Sequence, residues 1–130
     1  MKKQFVLMAL IMLAGIFNVN AQPPGGMPRR TVEERVKSVH EKLDSAFKPD
    51  VNKMALLDSI FTNYYKAQDK SREEMMASGS TDRDAMRAKM MELAADRDEK
   101  LKKVLSEAEM KIWKDDIEPA MRPQRRPQGQ

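Results

Sequence analysis

Apolar residues recur at steps of three and four in four segments of the chain after residue 30, which is the spacing of one face of an α-helix. The first face is narrow, the second is broad, and the third is interrupted by the charged pair Arg97 and Asp98. Residues 66–74, at the end of the second segment, are almost all polar, and we expect them to project into solvent. The four faces consist of Val32, Val36, Val39, Leu43 and Phe47; of Val51, Met54, Leu57, Ile60, Phe61, Tyr64 and Tyr65; of Met86, Met90, Leu93, Leu101, Val104 and Leu105; and of Met110, Ile112, Trp113 and Ile117.

Helix start signals precede three of these segments. In each, a hydroxyl residue is followed three positions later by an acidic residue, so that each side chain can hydrogen-bond to the backbone of the other in a capping box. The three pairs are Thr31 with Glu34, Thr81 with Asp84, and Ser106 with Glu109. They place the starts of the first, third and fourth helices.

Proline and glycine residues mark the other helix boundaries. Pro49 suits the first turn of the second helix, where its missing N–H costs nothing, and Asp50 suits the positive end of that helix. Gly79, between two serines, ends the second helix, and Pro119 predicts that the fourth ends at Glu118. The sequence therefore predicts an all-α fold of four helices, in which the second and third form a long antiparallel hairpin with Gly79 at its tip.

Residues 101–113 form the best-defined local motif, the end of one helix, a tight corner at Ser106 and the start of another. A weaker copy occupies residues 43–54, displaced by 58 positions when the leucines Leu43 and Leu101 are aligned. We interpret both copies as structural corners rather than as sites, so the chain resembles two helix–corner–helix units joined through long arms.

The N-terminus has the pattern of a secretory signal peptide. A positive start at Lys2 and Lys3 is followed by an apolar run at residues 5–17, and small residues precede the predicted cleavage site after Ala21. The run is shorter than the roughly 20 residues that a spanning helix needs. The predicted order is a signal peptide at 1–21, a flexible Pro/Gly/Arg leader at 22–30, a helical domain at 31–118 and a disordered basic tail at 119–130, in an exported protein.

Cleavage changes what the composition implies. It removes Lys2 and Lys3, so that 109 residues remain and the formal net charge falls from +4 to +2. This modest charge, together with export, argues against nucleic acid as a partner. Few mature residues are apolar for a compact globule, which favours an elongated shape or a homodimer that shares its core.

Enzyme signatures are absent from the sequence. There is no cysteine, no Gly-rich phosphate loop and no pair of histidines, and the adjacent Asp115 and Asp116 point about 100° apart on a helix. His40, the only histidine, lies on the flank of the first apolar face and is interpreted as a structural or surface residue. We expect neither a catalytic function nor a cofactor, and no residue is assigned as a metal ligand.

Methionine is the one enrichment that suggests a binding function. Nine of the twelve methionines remain after cleavage, and two groups, Met75 with Met76 and Met86 with Met90 and Met91, flank the predicted hairpin tip. Three interpretations stay open: ordinary packing, an adaptable apolar surface for many partners, and a thioether site for Cu(I).

The second corner resembles a known motif. Residues 105–109, Leu-Ser-Glu-Ala-Glu, are similar to the Leu-Thr-x-x-Gln motif of the Spy/CpxP group of periplasmic proteins, with Ser106 for Thr and Glu109 for Gln. The first corner occupies the place of the other copy but departs from it, with Lys48 for Thr and Val51 for Gln. The resemblance covers roughly residues 31–118, with the signal peptide and leader. It implies a periplasmic location after cleavage of the signal peptide and four helices in a cradle-like antiparallel dimer. It also implies either ATP-independent holding of unfolded envelope proteins or regulation of an envelope stress response.

Two functional hypotheses follow. In the first, the protein is a dimeric chaperone that binds unfolded or stressed envelope proteins along its long arms. In the second, it is a metal-responsive or stress-sensing regulator that docks on a membrane sensor. Candidate client-binding residues are Met75, Met86 and Met90 with a charged rim of Lys53, Lys66, Lys70, Arg72, Arg83, Arg87 and Lys89; the corner motif residues Phe47, Pro49, Leu105, Ser106 and Glu109 are assigned a structural role.

Overall fold

A computed structural model describes residues 29–122 of the chain. Within this range all regular structure is helical, as predicted, and there is no β-strand. Helix α1 spans Val32–Phe47, α2 spans Val51–Ala77 and α3 spans Arg83–Lys102; α4 comprises the segments Glu107–Ile112, Trp113–Ile117 and Glu118–Met121, of which the middle one is a π-helical turn. The predicted signal peptide, residues 22–28 of the leader and residues 123–130 of the tail lie outside the described residues.

Helix α1 begins as its sequence predicts. The Thr31 hydroxyl accepts a hydrogen bond from the backbone N–H of Glu34, whose carboxylate accepts one from the backbone N–H of Thr31 at 2.8 Å. Two of the N–H groups at the helix start, which have no partner within the helix, thus donate to side chains of the capping box. Of its apolar face, Val39 and Leu43 are buried.

The first corner differs from the prediction in its details. Lys48 ends α1 in the left-handed conformation, with φ 45° and ψ 56°, a region that glycine normally occupies. Asp50 is the N-cap of α2 and accepts a hydrogen bond from the Lys53 N–H, so Pro49 precedes the cap and does not lie in the first helical turn. Val51, expected on the buried face, is 86% exposed because it starts the helix on its outer side.

The turn between α2 and α3 lies at Gly79, as predicted. Gly79 has a φ of 67°, and its conformation ends α2 directly after Ala77. The cap of α3 is one residue later than the predicted Thr81: the Asp82 carboxylate accepts hydrogen bonds from the N–H groups of Asp84 and Ala85. One carboxylate oxygen, Oδ1, accepts both of these hydrogen bonds, and aspartate is at least as favourable as threonine at an N-cap.

The second corner forms the predicted capping box. The Ser106 hydroxyl accepts from the Glu109 N–H at 3.2 Å, and the Glu109 carboxylate accepts from the Ser106 N–H at 2.9 Å. Helix α4 then continues to Met121, three residues beyond the predicted end at Glu118. The π-helical turn Trp113–Ile117 ends directly before Glu118 and Pro119. A proline ring clashes with the preceding turn of a regular α-helix, and the wider π-helical turn leaves room for it.

The hydrophobic core draws on all four helices. Its nine buried residues include Leu57 and Phe61 of α2, and Trp113 of α4, whose ring centroid is 5.0 Å from that of Phe61. The remaining six are Val39, Leu43, Met54, Leu101, Leu105 and Ile117. Helix α2 contacts both α1 and α3, and α3 contacts α4. The core therefore lies at the end of the molecule that holds the two corners.

The polar end of α2 is less exposed than expected. Ser71 is 8% exposed, and Ala67, Gln68, Asp69 and Arg72 are half-buried. The prediction that residues 66–74 project into solvent is wrong for this part, because Asp69 forms an ion pair with Arg35 of α1 and holds the two helices together. Between residues 29 and 122, none of the helices has the length and hydrophobicity to cross a bilayer.

Candidate functional site

The predicted client-binding methionines lie on two segments that flank the Gly79 turn. We define the arm segments as residues 62–77 of α2 and 83–96 of α3. Met75, Met86 and Met90 are half-buried, while Met76 and Met91 are 69% and 67% exposed. No hydrophobic residue of either arm segment belongs to the buried core. The arm methionines are therefore not ordinary core residues.

The predicted charged rim divides into free and paired cations. Lys66, Arg83 and Arg87 are exposed and form no ion pair with residues 29–122. The others are paired: Lys70 with Glu74 at 3.8 Å, Lys89 with Glu92 at 3.0 Å, Arg72 with Asp69 at 3.5 Å and Lys53 with Glu109 at 2.7 Å. Lys53 therefore lies at the corners and not beside the arms.

The corner motif residues have structural contacts. Leu105 is buried in the core, and Phe47 packs against it. Glu109 has one further partner besides Ser106: both of its carboxylate oxygens accept from the Lys53 ammonium, at 2.9 and 2.7 Å. Burial would raise the pKa of Glu109, but the hydrogen bonds from Lys53 and Ser106 lower it below its usual value. Glu109 thus fastens the second corner to the start of α2.

A charged cluster lies where α2, α3 and α4 meet. The guanidinium of Arg97, a residue only 5% exposed, donates to Asp98 at 2.7 Å and to Glu118 at 2.9 Å. Its carbon lies 4.7 Å from the centroid of the Tyr64 ring and 5.1 Å from that of Trp113. Lys114 completes the cluster by donating to Asp98 at 2.5 Å and to Glu118 at 3.0 Å. The cluster thus balances two cations against two carboxylates.

The cluster holds all four groups in their charged forms. Burial alone would raise the pKa of Asp98 and of Glu118, but hydrogen bonds from Lys114 and Arg97 lower both. Burial would lower the pKa of Arg97 and of Lys114, but their hydrogen bonds to the two carboxylates raise both. Because no proton is shared or poised to move near neutral pH, the arrangement is suited to structure rather than to acid–base chemistry.

An open groove with a volume of about 720 Å³ borders this cluster. It runs between α1, α2 and the end of α4, and we call it the arginine groove. The Arg35 guanidinium covers the Tyr65 ring at 4.7 Å, as Arg97 covers Tyr64. The groove is lined by Arg30, Arg35, Ser38, Tyr64, Tyr65, Gln68, Arg72, Arg97, Trp113, Glu118, Ala120, Met121 and Arg122.

Sequence patterns did not indicate this groove. The sequence predicts that Arg30 lies in the flexible leader and Arg122 in the basic tail, and it shows Arg97 only as an interruption of the apolar face of the third helix. That interruption was the available signal, because a charged residue at a buried helical position needs a partner on a neighbouring helix. The partners themselves, Tyr64 and Glu118, are 33 and 21 positions away and depend on tertiary packing.

His, Asp and Glu side chains are the ligands that would hold a zinc, magnesium or calcium ion. In the part of the chain from 29 to 122, no group of three or more His, Cys, Asp or Glu side chains is placed to hold a metal. His40 has a structural contact, as expected: its Nδ1 lies 2.9 Å from the Asp58 carboxylate and links α1 to α2. A Cu(I) site made of thioethers remains a hypothesis.

Comparison with known proteins finds no family model, no curated protein and no solved structure that matches the chain. The likeness of residues 105–109 to the Leu-Thr-x-x-Gln motif thus stands without a matching relative. The function therefore has to be inferred from the residues of this chain, above all from the two surfaces described above.

Proposed function

We propose that the protein binds unfolded segments of other proteins along its arm segments and so keeps them from aggregating without ATP. The observation that carries this proposal is the position of the arm methionines outside the core. Met76 and Met91 are more than two-thirds exposed. Exposed, unbranched and polarizable side chains of this kind re-pack around partners of different shape.

The free cations of the arms add to the proposed surface. Lys66 lies on the α2 arm segment, and Arg83 and Arg87 lie on that of α3, all without an ion-pair partner in residues 29–122. Cations beside an apolar strip draw in segments of opposite charge and speed the encounter. The combination suits partners defined by exposed apolar and acidic residues more than by one fold.

The dimer is part of the same proposal. With nine buried hydrophobic residues among those described, a single chain has a small core for its length, and a second copy can cover more apolar surface. We propose that α2 and α3 form a long antiparallel hairpin and that two chains assemble into an elongated cradle in the periplasm. Sedimentation of the mature protein gives the mass directly, and a single-chain mass at all micromolar concentrations would remove the dimer.

The test of binding is a matched pair of double variants. A chemically denatured client is diluted into buffer with the mature protein, and light scattering follows its aggregation. The arm variant Met76→Gln/Met91→Gln is compared with Val51→Gln/Leu56→Gln, which also removes two exposed apolar side chains, 86% and 56% exposed, but outside the arm segments.

We expect the unaltered protein and the Val51/Leu56 control to suppress scattering and the arm variant to suppress it less. Equal suppression by both variants would remove the arm methionines from the proposal. No suppression by the unaltered protein at molar excess would reject the function itself.

A further inference from the structure

Arginine and lysine are segregated in this molecule. Residues 29–122 contain eight arginines and twelve lysines. Five of the eight arginines line the arginine groove and none of the twelve lysines does. A sixth, Arg29, lines an adjoining depression with Arg30, Arg35 and Arg72. Only Arg83 and Arg87 lie elsewhere. The lining of the groove is therefore enriched in guanidinium groups, and not in positive charge in general.

The groove is also positive in a body that is neutral overall. Four of the 24 basic residues of the chain lie outside residues 29–122, and none of the 20 acidic ones does, so the described part has a formal net charge of zero. Among the lining residues, five cations face one carboxylate, that of Glu118. Asp69 and Asp98 balance part of this charge through ion pairs with Arg35, Arg72 and Arg97. The positive charge that remains on the lining attracts anions.

Several guanidiniums of the groove keep donors to spare. Arg97 and Arg35 are committed to Glu118 and Asp69 respectively. Arg72 reaches Asp69 only at 3.5 Å and Arg122 reaches Glu118 only at 3.9 Å, while Arg30 has no ion pair with residues 29–122. The last three therefore have free N–H groups at the rim of the groove.

The aromatic wall contributes further donors. The Tyr64 hydroxyl accepts from Gln68 at 2.7 Å, which leaves its own hydrogen to donate. Burial raises the pKa of both Tyr64 and Tyr65, so both phenols are neutral donors at physiological pH. Donors thus outnumber acceptors, as in a site for an oxygen-rich anion.

We infer that the arginine groove binds a phosphate ester, with the phosphoryl group between Arg72 and Arg122 and the organic group against Tyr64 and Tyr65. A phosphoryl group presents three acceptor oxygens in a tetrahedral arrangement. It can therefore contact guanidiniums that approach from α2 and from the end of α4, whereas a planar carboxylate suits one guanidinium. The volume of about 720 Å³ exceeds what one inorganic phosphate fills.

The groove shares Tyr64, Tyr65, Gln68 and Arg72 with the α2 arm segment, but the inference does not rest on the proposed binding of unfolded proteins. Its test is calorimetric titration of the mature protein. The probes are inorganic phosphate, glycerol 3-phosphate and oligoglutamate, with vesicles of phosphatidylcholine alone or with phosphatidylglycerol as two further arms. Trp113, the only tryptophan of the chain, gives a second signal from the groove wall through its fluorescence.

Two double variants are compared, and each removes two positive charges while leaving the fold intact. Arg72→Gln/Arg122→Gln removes two groove guanidiniums but leaves Arg35 on Asp69 and Arg97 on Glu118. Arg83→Gln/Arg87→Gln removes the two arginines that lie elsewhere. We expect the groove variant to bind phosphate esters at least about tenfold more weakly, from the loss of two charge-assisted hydrogen bonds, and the control to bind them as the unaltered protein does.

Each outcome bears on the inference. Selective loss in the groove variant supports it, and the relative response to glycerol 3-phosphate and to phosphatidylglycerol vesicles then identifies a soluble ester or a lipid headgroup as the source. Equal loss in both variants would reduce the effect to general charge attraction and overturn it. So would tighter binding of oligoglutamate than of every phosphate probe, or no binding of any probe.

Discussion

The guanidinium carbon of Arg97 lies 4.7 Å from the centroid of the Tyr64 ring, so the most buried cation of α3 faces α2 and not solvent. The same guanidinium binds Glu118 of α4 at 2.9 Å. One side chain thereby joins three helices at the edge of the core and forms one wall of the arginine groove. Arg97 forms ion pairs with both Asp98 and Glu118, so removing the guanidinium would leave these two carboxylates with less compensating charge in a buried setting.

We expect Arg97→Ala to destabilise the protein by about 3 kcal/mol in a largely buried setting. Asp98 would keep only Lys114 as a cationic partner, and Glu118 would keep Lys114 and the more distant Arg122, at 3.9 Å. Urea denaturation followed by circular dichroism measures the change. Lys100→Ala is the matched control, since it removes a cation from the same helix that pairs with Asp96 on the surface, and it should cost less than about 1 kcal/mol. Equal losses would contradict a structural role for the cluster.

Acid should weaken the same cluster. Burial favours the neutral forms of Asp98 and Glu118, but hydrogen bonds from Lys114 and Arg97 lower both pKa values in the folded chain. The folded state then binds fewer protons than the unfolded state, so this stabilisation is complete above the unfolded pKa values, near 4, and is lost as the pH falls through the lower folded values. We expect the free energy of unfolding to fall from about pH 5 downwards.

The variant Asp98→Asn tests the origin of that acid dependence. It should be less stable than the unaltered protein at pH 7, and its free energy of unfolding should change less between pH 5 and 3, roughly by one carboxylate's share. Ser45→Ala, which removes no titratable group, should keep the full dependence. An unchanged slope in Asp98→Asn would exclude this carboxyl as a source of the acid dependence.

Local sequence signals located most of the helical framework. The capping boxes at Thr31 and Ser106 and the glycine at position 79 lie where the patterns place them, because each acts through backbone groups within four residues. Thr81 and Asp82 are adjacent candidates for the N-cap of α3, and N-cap preferences alone do not distinguish between them. The helix end beyond Pro119 depends on the π-helical turn, which the sequence does not indicate.

The sequence patterns do not predict the arginine groove, for a different reason. Its members come from all four helices and from both ends of the described chain, and only the packed fold brings Arg30 and Arg122 to the same groove. The arm methionines, in contrast, were identified because they cluster on either side of one turn. The sequence therefore predicts the arm surface, which is built from residues close together in the chain, and not the arginine groove, which is built from residues far apart in the chain.

The capping box of the second corner should contribute measurably to stability. Ser106→Ala removes the hydroxyl that accepts from the Glu109 N–H, and we expect it to cost roughly 1 kcal/mol. Ser45→Ala, at an exposed position inside α1, serves as the control and should be neutral or slightly stabilising because alanine favours the helix. Aggregation suppression by the folded fraction should be unchanged, since the corner is not part of the arm segments.

The first corner offers a stabilising substitution. Lys48 is exposed and holds φ at 45°, which strains any residue with a Cβ atom. Lys48→Gly should therefore raise the free energy of unfolding by roughly 1 kcal/mol, the left-handed penalty less the entropy that glycine adds to the unfolded chain. Thermal and urea denaturation measure this gain.

Lys42→Gly is the matched control for that substitution, because it replaces an exposed lysine inside α1, where φ is helical. Here glycine should lower the free energy of unfolding by roughly 1 kcal/mol. The two changes remove the same side chain and the same charge, so opposite signs isolate the backbone conformation as the cause. If both variants lose stability, Lys48 does not occupy the left-handed conformation in solution, and the first corner has a different geometry.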